Sequence, residues 1–196
     1  MNNMTLFIVI AAVAGVLLGI AIAYLLQQRR TQRLKDQFGE EYGRVVAESA
    51  NRHRAEDQLV QRQKRVEQFH IRPLSATEQA YFRSGWREVQ ARFVDDPGEA
   101  LEQADKLIAE VMSVEGYPVI DFAQRAADIS VNHATVTENY REGHNIALRR
   151  LQGKATTEEL RKAMLHYRTL FNELTGPSDQ QFLSERTSWL QTTKPH

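Results

Sequence analysis

The chain contains no cysteine. That absence removes thiol catalysis, disulfides and cysteine-bound zinc or iron–sulfur centres. It fits a reducing compartment, and equally a simple extracytoplasmic protein without disulfides. Glycine and proline are also sparse, ten and five of 196 residues, and they sit mainly between periodic segments. No run of alternating β-branched residues marks a strand. Excess charge of either sign is missing, since 25 basic residues balance 25 acidic ones. Nucleic acid requires a concentrated basic face, and Arg149 and Arg150 are too few to supply one. There is no HExxH, no pair of ExxH motifs, no GxSxG and no glycine loop after a strand. No segment therefore spells out a reaction.

What is present begins with one apolar run. LFIVIAAVAGVLLGIAIAYLL, Leu6 to Leu26, carries no charge. As a helix it is about 30 Å long, enough to cross a hydrocarbon core. A secretory signal competes with this reading, because Ala21-Ile22-Ala23 matches a small-x-small cleavage pattern. The run is long for a signal, however, and no basic n-region precedes it. A buried helix is the third alternative. Arg29, Arg30, Arg33 and Lys35 follow the run, and the positive-inside rule places them in the cytoplasm. These four cations are topology determinants first, though they also suit anionic headgroups. The expected location is the cell inner membrane, single-pass, with the C-terminal domain cytoplasmic. Ala11, Gly15, Gly19 and Ala23 recur every fourth residue and form a small-residue ridge with a GxxxG match. That ridge is a candidate for anchor packing in a homo-oligomer, and composition alone also explains it.

The remainder reads as helical. The expected fold is all-α: one transmembrane helix, a helical stalk and a compact antiparallel bundle. The expected segments are 1–28 (anchor), 29–73 (basic juxtamembrane segment and stalk), 74–175 (bundle) and 176–196 (polar tail). Residues 29–70 hold ten basic and seven acidic side chains, so the positive part hugs the membrane. Glu40 to Phe69 reads as a long polar helix without a sustained heptad, supported by Glu48–Arg52 and Arg52–Glu56 pairs. A continuous helix of that length reaches about 45 Å. A dimeric stalk and an isolated one are both open.

Pro73 breaks the pattern, and Ser75-x-x-Glu78 is a capping box. Phe82, Trp86, Val89 and Phe93 then form an apolar stripe. Asp96-Pro97-Gly98-Glu99 starts the next helix, with Leu101, Ala104, Leu107, Ile108, Val111 and Met112 as its apolar face. A shorter helix covers Ile120 to Ile129. A longer one runs from Ala134 to Leu151, with Val136, Tyr140, Ala147 and Leu151 on one side. Thr156-x-x-Glu159 caps the last helix, which carries Leu160, Met164, Tyr167, Leu170, Phe171 and Leu174. Gly176-Pro177 ends it.

Candidate functional residues are few. His133, His144 and His166 lie near Asp121, Asp128, Glu138 and Glu142, and imidazole with carboxylate can bind a metal or exchange protons. Their spacing does not bring them together, and no cofactor is expected. Asp121 and Asp128 sit near one helical face, with Arg125 able to pair with either. Gly143 admits a close helix neighbour, a bend or a ligand. The candidate interaction residues are Trp86, Arg87, Asp121, Arg125, Asp128, Tyr140 and His144, with Trp86 also expected in the core.

RVEQFHIRPLS, YFRSGWREVQARFVDDPGEALEQADKLIAEVM, GYPV, DFAQRAADIS, ENYREGHNIALR and LRKAMLHYRTLFNEL together resemble an uncharacterised bacterial family. Its members are small, N-terminally anchored or secreted helical proteins with no assigned activity. The resemblance covers most of residues 35–174 and implies a family domain without transferable catalytic residues. A secreted member would run against the charge-based orientation. The expected partners are the lipid bilayer and a protein, with self-association through anchor or stalk and no nucleic acid. The expected role is a membrane-tethered interaction or scaffolding domain. The alternative is a helical metal- or small-ligand-binding sensor or enzyme using the three histidines.

Overall fold

The computed structural model describes residues 3–176, with side chains from residue 11 onward. The expected polar tail, with Phe182, Leu183, Trp189 and Leu190, lies outside the described residues apart from Gly176. Among the described residues all regular structure is helical. The chain divides into two compact units, Met1–Leu59 and Val60–His196.

The first unit contains α1 (Asn3–Phe38), α2 (Glu40–Glu48) and the start of α3 (Arg52–Val66). α1 does not stop where its apolar run stops. It continues through Arg29, Arg30, Arg33 and Lys35 to Phe38. The stretch Ala11–Phe38 is long and apolar enough to cross a membrane, and its 18-residue apolar window, with mean hydropathy 1.8, has no buried residue. By length and composition it also fits a signal sequence. Ala11, Gly15, Gly19 and Ala23 are all exposed, and a Cβ at Gly15 or Gly19 would meet no heavy atom within 4 Å. Further along, Leu34, Phe38, Tyr42, Val45, Ala55 and Leu59 are buried.

The expected continuous stalk helix is corrected to two helices. Gly39, with φ 50°, separates α1 from α2, a backbone setting that favours glycine. Ser49 to Asn51 then separate α2 from α3. This second break also splits the expected Glu48–Arg52 pair, and Glu48 pairs with Arg44 at 2.6 Å instead. Arg52–Glu56 does form, at 3.2 Å, but Glu56 is not on a solvated face. It is 0% exposed. Its Oε1 accepts from Thr31 Oγ1 at 2.7 Å, from Tyr42 OH at 3.0 Å and from Arg52 Nε; its Oε2 accepts from Gln27 Nε2 at 3.1 Å. A carboxylate leaves water only where donors replace it, and these donors come from α1, α2 and α3. Arg30 adds an ion pair to Asp57 at 2.6 Å on the exposed side.

The second unit takes the end of α3 and five further helices: α4 (Ala76–Asp95), α5 (Pro97–Glu115), α6 (Phe122–Asn132), α7 (Ala134–Leu151) and α8 (Thr157–Thr175). Of the three capping boxes expected, at Ser75–Glu78, Asp96–Glu99 and Thr156–Glu159, the first and the last are present. Asp96 caps α5 through Glu99 N at 2.9 Å. Glu99 does not close that box, because its carboxylate meets Arg92 and Gln103. α6 starts later than expected. Asp121 is its N-cap, accepting from Gln124 N at 2.8 Å.

The core is built from the expected stripes. Phe82, Trp86 and Val89 of α4, Leu101, Ile108 and Met112 of α5, and Leu160, Leu170 and Phe171 of α8 are buried in one cluster. α5 packs on α4 and α8, α8 packs on α7, and α6 closes on α7. Trp86 stacks on Phe171 with ring centroids 4.6 Å apart. One expected core residue is misplaced: Leu151 is 69% exposed. Gly143 and Ile146 take the buried face of α7 with Val136 and Tyr140.

Burial pushes the Glu56 carboxyl up, but hydrogen bonds from Thr31, Tyr42 and Arg52 outweigh it and hold the group below its ordinary 4.5. Its stabilisation is therefore present above about 4.5 and lost as pH falls through the lower folded value. Glu56→Ala strands the Thr31 and Tyr42 hydroxyls and is expected to cost about 3 kcal/mol. Amide exchange of α2 and α3 should accelerate accordingly. In the unmutated chain the protection factors should fall below pH about 4.5. Unchanged protection in Glu56→Ala would show that the network does not hold these helices.

Candidate functional site

The second unit gathers polar side chains around Asp105. This residue lies on α5 beside the buried positions Leu101, Ala104 and Ile108. Asp105 Oδ1 accepts from Tyr140 OH at 3.0 Å, and Oδ2 accepts from Arg125 Nη2 at 2.9 Å. Arg125 thus pairs with Asp105, and not with Asp121 or Asp128 as its spacing suggested. Asp121 is occupied as a cap. Asp128 is buried and accepts from Arg65 Nε at 2.9 Å and from Gln124. Arg125 bridges α6 to α5, and Arg65 ties the end of α3 to α6.

A cleft of about 210 Å³ opens above this hub. α5 supplies Leu101, Asp105 and Lys106, and α7 supplies His144, Leu148 and Leu151. Tyr167 of α8 also lines it. Gly143 explains how Tyr167 comes so close to α7. A Cβ there would meet Tyr167 Cε1 at 3.0 Å and the Ala163 carbonyl oxygen at 3.3 Å. The close helix neighbour, among the readings open for Gly143, is the one observed. At the other end, the Arg150 guanidinium lies over Gly98, where an added Cβ would displace it, and pairs with Glu102 at 2.8 Å.

The cleft's free polar groups differ from its paired ones. Tyr167 is 0% exposed, and its hydroxyl has no hydrogen-bond partner. Burial, and secondarily the Asp105 charge, push this phenol up, so it stays protonated. His144 stacks on Phe122 with ring centroids 3.5 Å apart. Burial lowers its pKa, so the imidazole is neutral at pH 7. Lys106 is exposed and has no acidic partner among the described residues.

The three histidines do not come together. His133 Nδ1 lies 3.2 Å from Glu173 Oε1, His166 Nδ1 lies 2.8 Å from Asn139 Oδ1, and His144 faces the cleft. Among the described residues no group of three His, Asp or Glu side chains is placed to hold a metal ion. The metal version of the alternative function therefore has no site there. Of the other candidates, Arg87 is exposed on α4, whereas Trp86 and Tyr140 are buried.

Asp105, Lys106 and Tyr167 escaped the sequence reading. Asp105 carried a signal, an acid flanking an apolar stripe. Tyr167 carried none, since it fits the stripe of α8 as an ordinary core residue. Glu115 escaped as well. It ends α5 beside Gly116, whose φ of 103° and approach to the His70 carbonyl admit only glycine without strain. Its side chain is buried, and Oε2 has no hydrogen-bond partner. Burial pushes this carboxyl up to about 7 against a smaller pull from Arg72.

Comparison with protein-family models, with curated proteins and with solved structures gives no match.

The Glu115 shift has a definite sign. A folded value above the ordinary 4.5 means that its stabilisation is full below about 4.5 and lost as pH rises through about 7. Glu115→Gln mimics the protonated acid. It should raise the thermal midpoint of the full chain at pH about 8 and leave it nearly unchanged at pH about 4.5. A gain of equal size at both values would show that the carboxyl is not what titrates.

Proposed function

We propose that this chain is a single-pass inner-membrane protein that tethers a protein partner to the cytoplasmic face through its helical bundle. The observation that carries this reading is α1. Its apolar side chains from Ala11 to Leu26 are exposed along the whole stretch, and a surface of that length calls for lipid or another helix. Arg29, Arg30, Arg33 and Lys35 continue the same helix and favour a cytoplasmic bundle. Membership of the bacterial family named above belongs to the same proposal.

The bundle has surface to offer a partner. Arg87 and Val94, seven residues apart, share the outer face of α4, and Val94 is 83% exposed. Ile120, just before α6, is 74% exposed. An arginine among exposed apolar groups resembles the composition of protein interfaces. Self-association through the Gly15–Gly19 ridge remains part of the proposal.

Reporter fusions after Leu34 and Leu174 test the placement. Cytoplasmic activity from a full-length membrane-bound product is expected at both. Extracytoplasmic activity reverses the orientation, and a shortened product released from the membrane replaces the anchor with a signal sequence. In the same cells, photo-crosslinkers at Arg87 and Val94 should capture one recurrent protein, and a crosslinker at buried Trp86 should not.

A further inference from the structure

The cleft between α5 and α7 is not needed for tethering, and its chemistry is specific. Three of its four lining charges are paired. Arg150 holds Glu102 at 2.8 Å, and Arg125 holds Asp105 at 2.9 Å from behind. Tyr140 OH takes a further lone pair of Asp105. Lys106 is the one lining charge without an opposite partner among the described residues. Tyr167 lines the same cleft, and its hydroxyl is a buried donor without a partner, a group that ordinarily would be satisfied. Leu101, Leu148 and Leu151 give the remaining wall an apolar character.

We propose that this cleft binds a small monocarboxylate with a short apolar tail. The carboxylate accepts from Lys106 Nζ and from the Tyr167 hydroxyl, and the tail lies against Leu101, Leu148 and Leu151. Neutral His144 forms the flank and adds no charge. The volume sets the size. A cavity of about 210 Å³ suits a small ligand, and the half-open mouth lets a chain end protrude. Asp105 opposes an anion nearby, and its Arg125 partner offsets that repulsion. An ammonium ligand would meet the reverse arrangement, with Lys106 repelling it and both acids already paired. The proposal is independent of which side of the membrane the bundle faces.

The test is equilibrium dialysis of radiolabelled hexanoate against the full chain in lipid nanodiscs, with empty nanodiscs subtracted. Saturable binding at one site per chain is expected, in the range of about 1 mM or tighter for so small a ligand. Hexan-1-ol and hexylamine, which keep the tail and change the head, should compete at least about tenfold more weakly. Lys106→Met should weaken hexanoate by about tenfold through loss of a charge-assisted bond. Tyr167→Phe should weaken it by about fivefold without lowering the thermal midpoint, since the hydroxyl has no partner to lose. Absence of saturable binding overturns the proposal. So does equal competition by hexan-1-ol, which would leave only an apolar groove, or tighter binding of hexylamine, which would assign the site to cations. Unchanged affinity in both variants would place any bound hexanoate elsewhere.

Discussion

A carboxylate taken out of water must find donors, and in each unit of this chain that requirement decides which helices meet. In the first unit Glu56 draws Gln27 and Thr31 of α1, Tyr42 of α2 and Arg52 of its own helix to one point. In the second, buried Asp128 draws Arg65 and Gln124, and half-buried Asp105 draws Tyr140 and Arg125. Apolar burial supplies most of the driving force, but it is non-directional. The hydrogen-bonded acids add direction, because only one register lets each find its donors. Replacing a donor therefore strands a charge as well as losing a contact.

The same accounting separates structural polar groups from available ones. Arg125, Arg149 and Arg150 all sit in ion pairs, with Asp105, Glu159 and Glu102. His133 and His166 face Glu173 and Asn139. What stays uncommitted around the cleft is a lysine, a neutral imidazole and a buried phenol. The proposed recognition of an acceptor uses the two donors among them, Lys106 of α5 and Tyr167 of α8, with His144 of α7 as a flank.

The acids also respond to pH in opposite senses. Glu56 is held below its ordinary value by donors, and Glu115 is lifted to about 7 by burial without any. One group thus favours the fold in its charged form and the other in its neutral form. Both are glutamates with little accessible surface. They differ in the donors that reach Glu56 and in the deeper desolvation of Glu115.

Periodicity and capping chemistry made the helices legible, because both are local. Ser75–Glu78 and Thr156–Glu159 marked two starts, and the stripes Phe82–Trp86–Val89 and Leu160–Met164–Tyr167 marked buried faces. The uncharged run from Leu6 to Leu26 was equally plain. The sequence by itself determined an all-helical chain, an apolar helix near the N-terminus and most of the bundle's core. Only tertiary structure decided that the polar stretch after Phe38 breaks into two helices and that Arg125 answers Asp105. It alone separated the three histidines and left the buried Tyr167 OH without a partner. The physical reason is range. Helix propensity, caps and apolar spacing act within a few residues, whereas buried Glu56 and half-buried Asp105 find donors 25 and 35 positions away, in Thr31 and Tyr140.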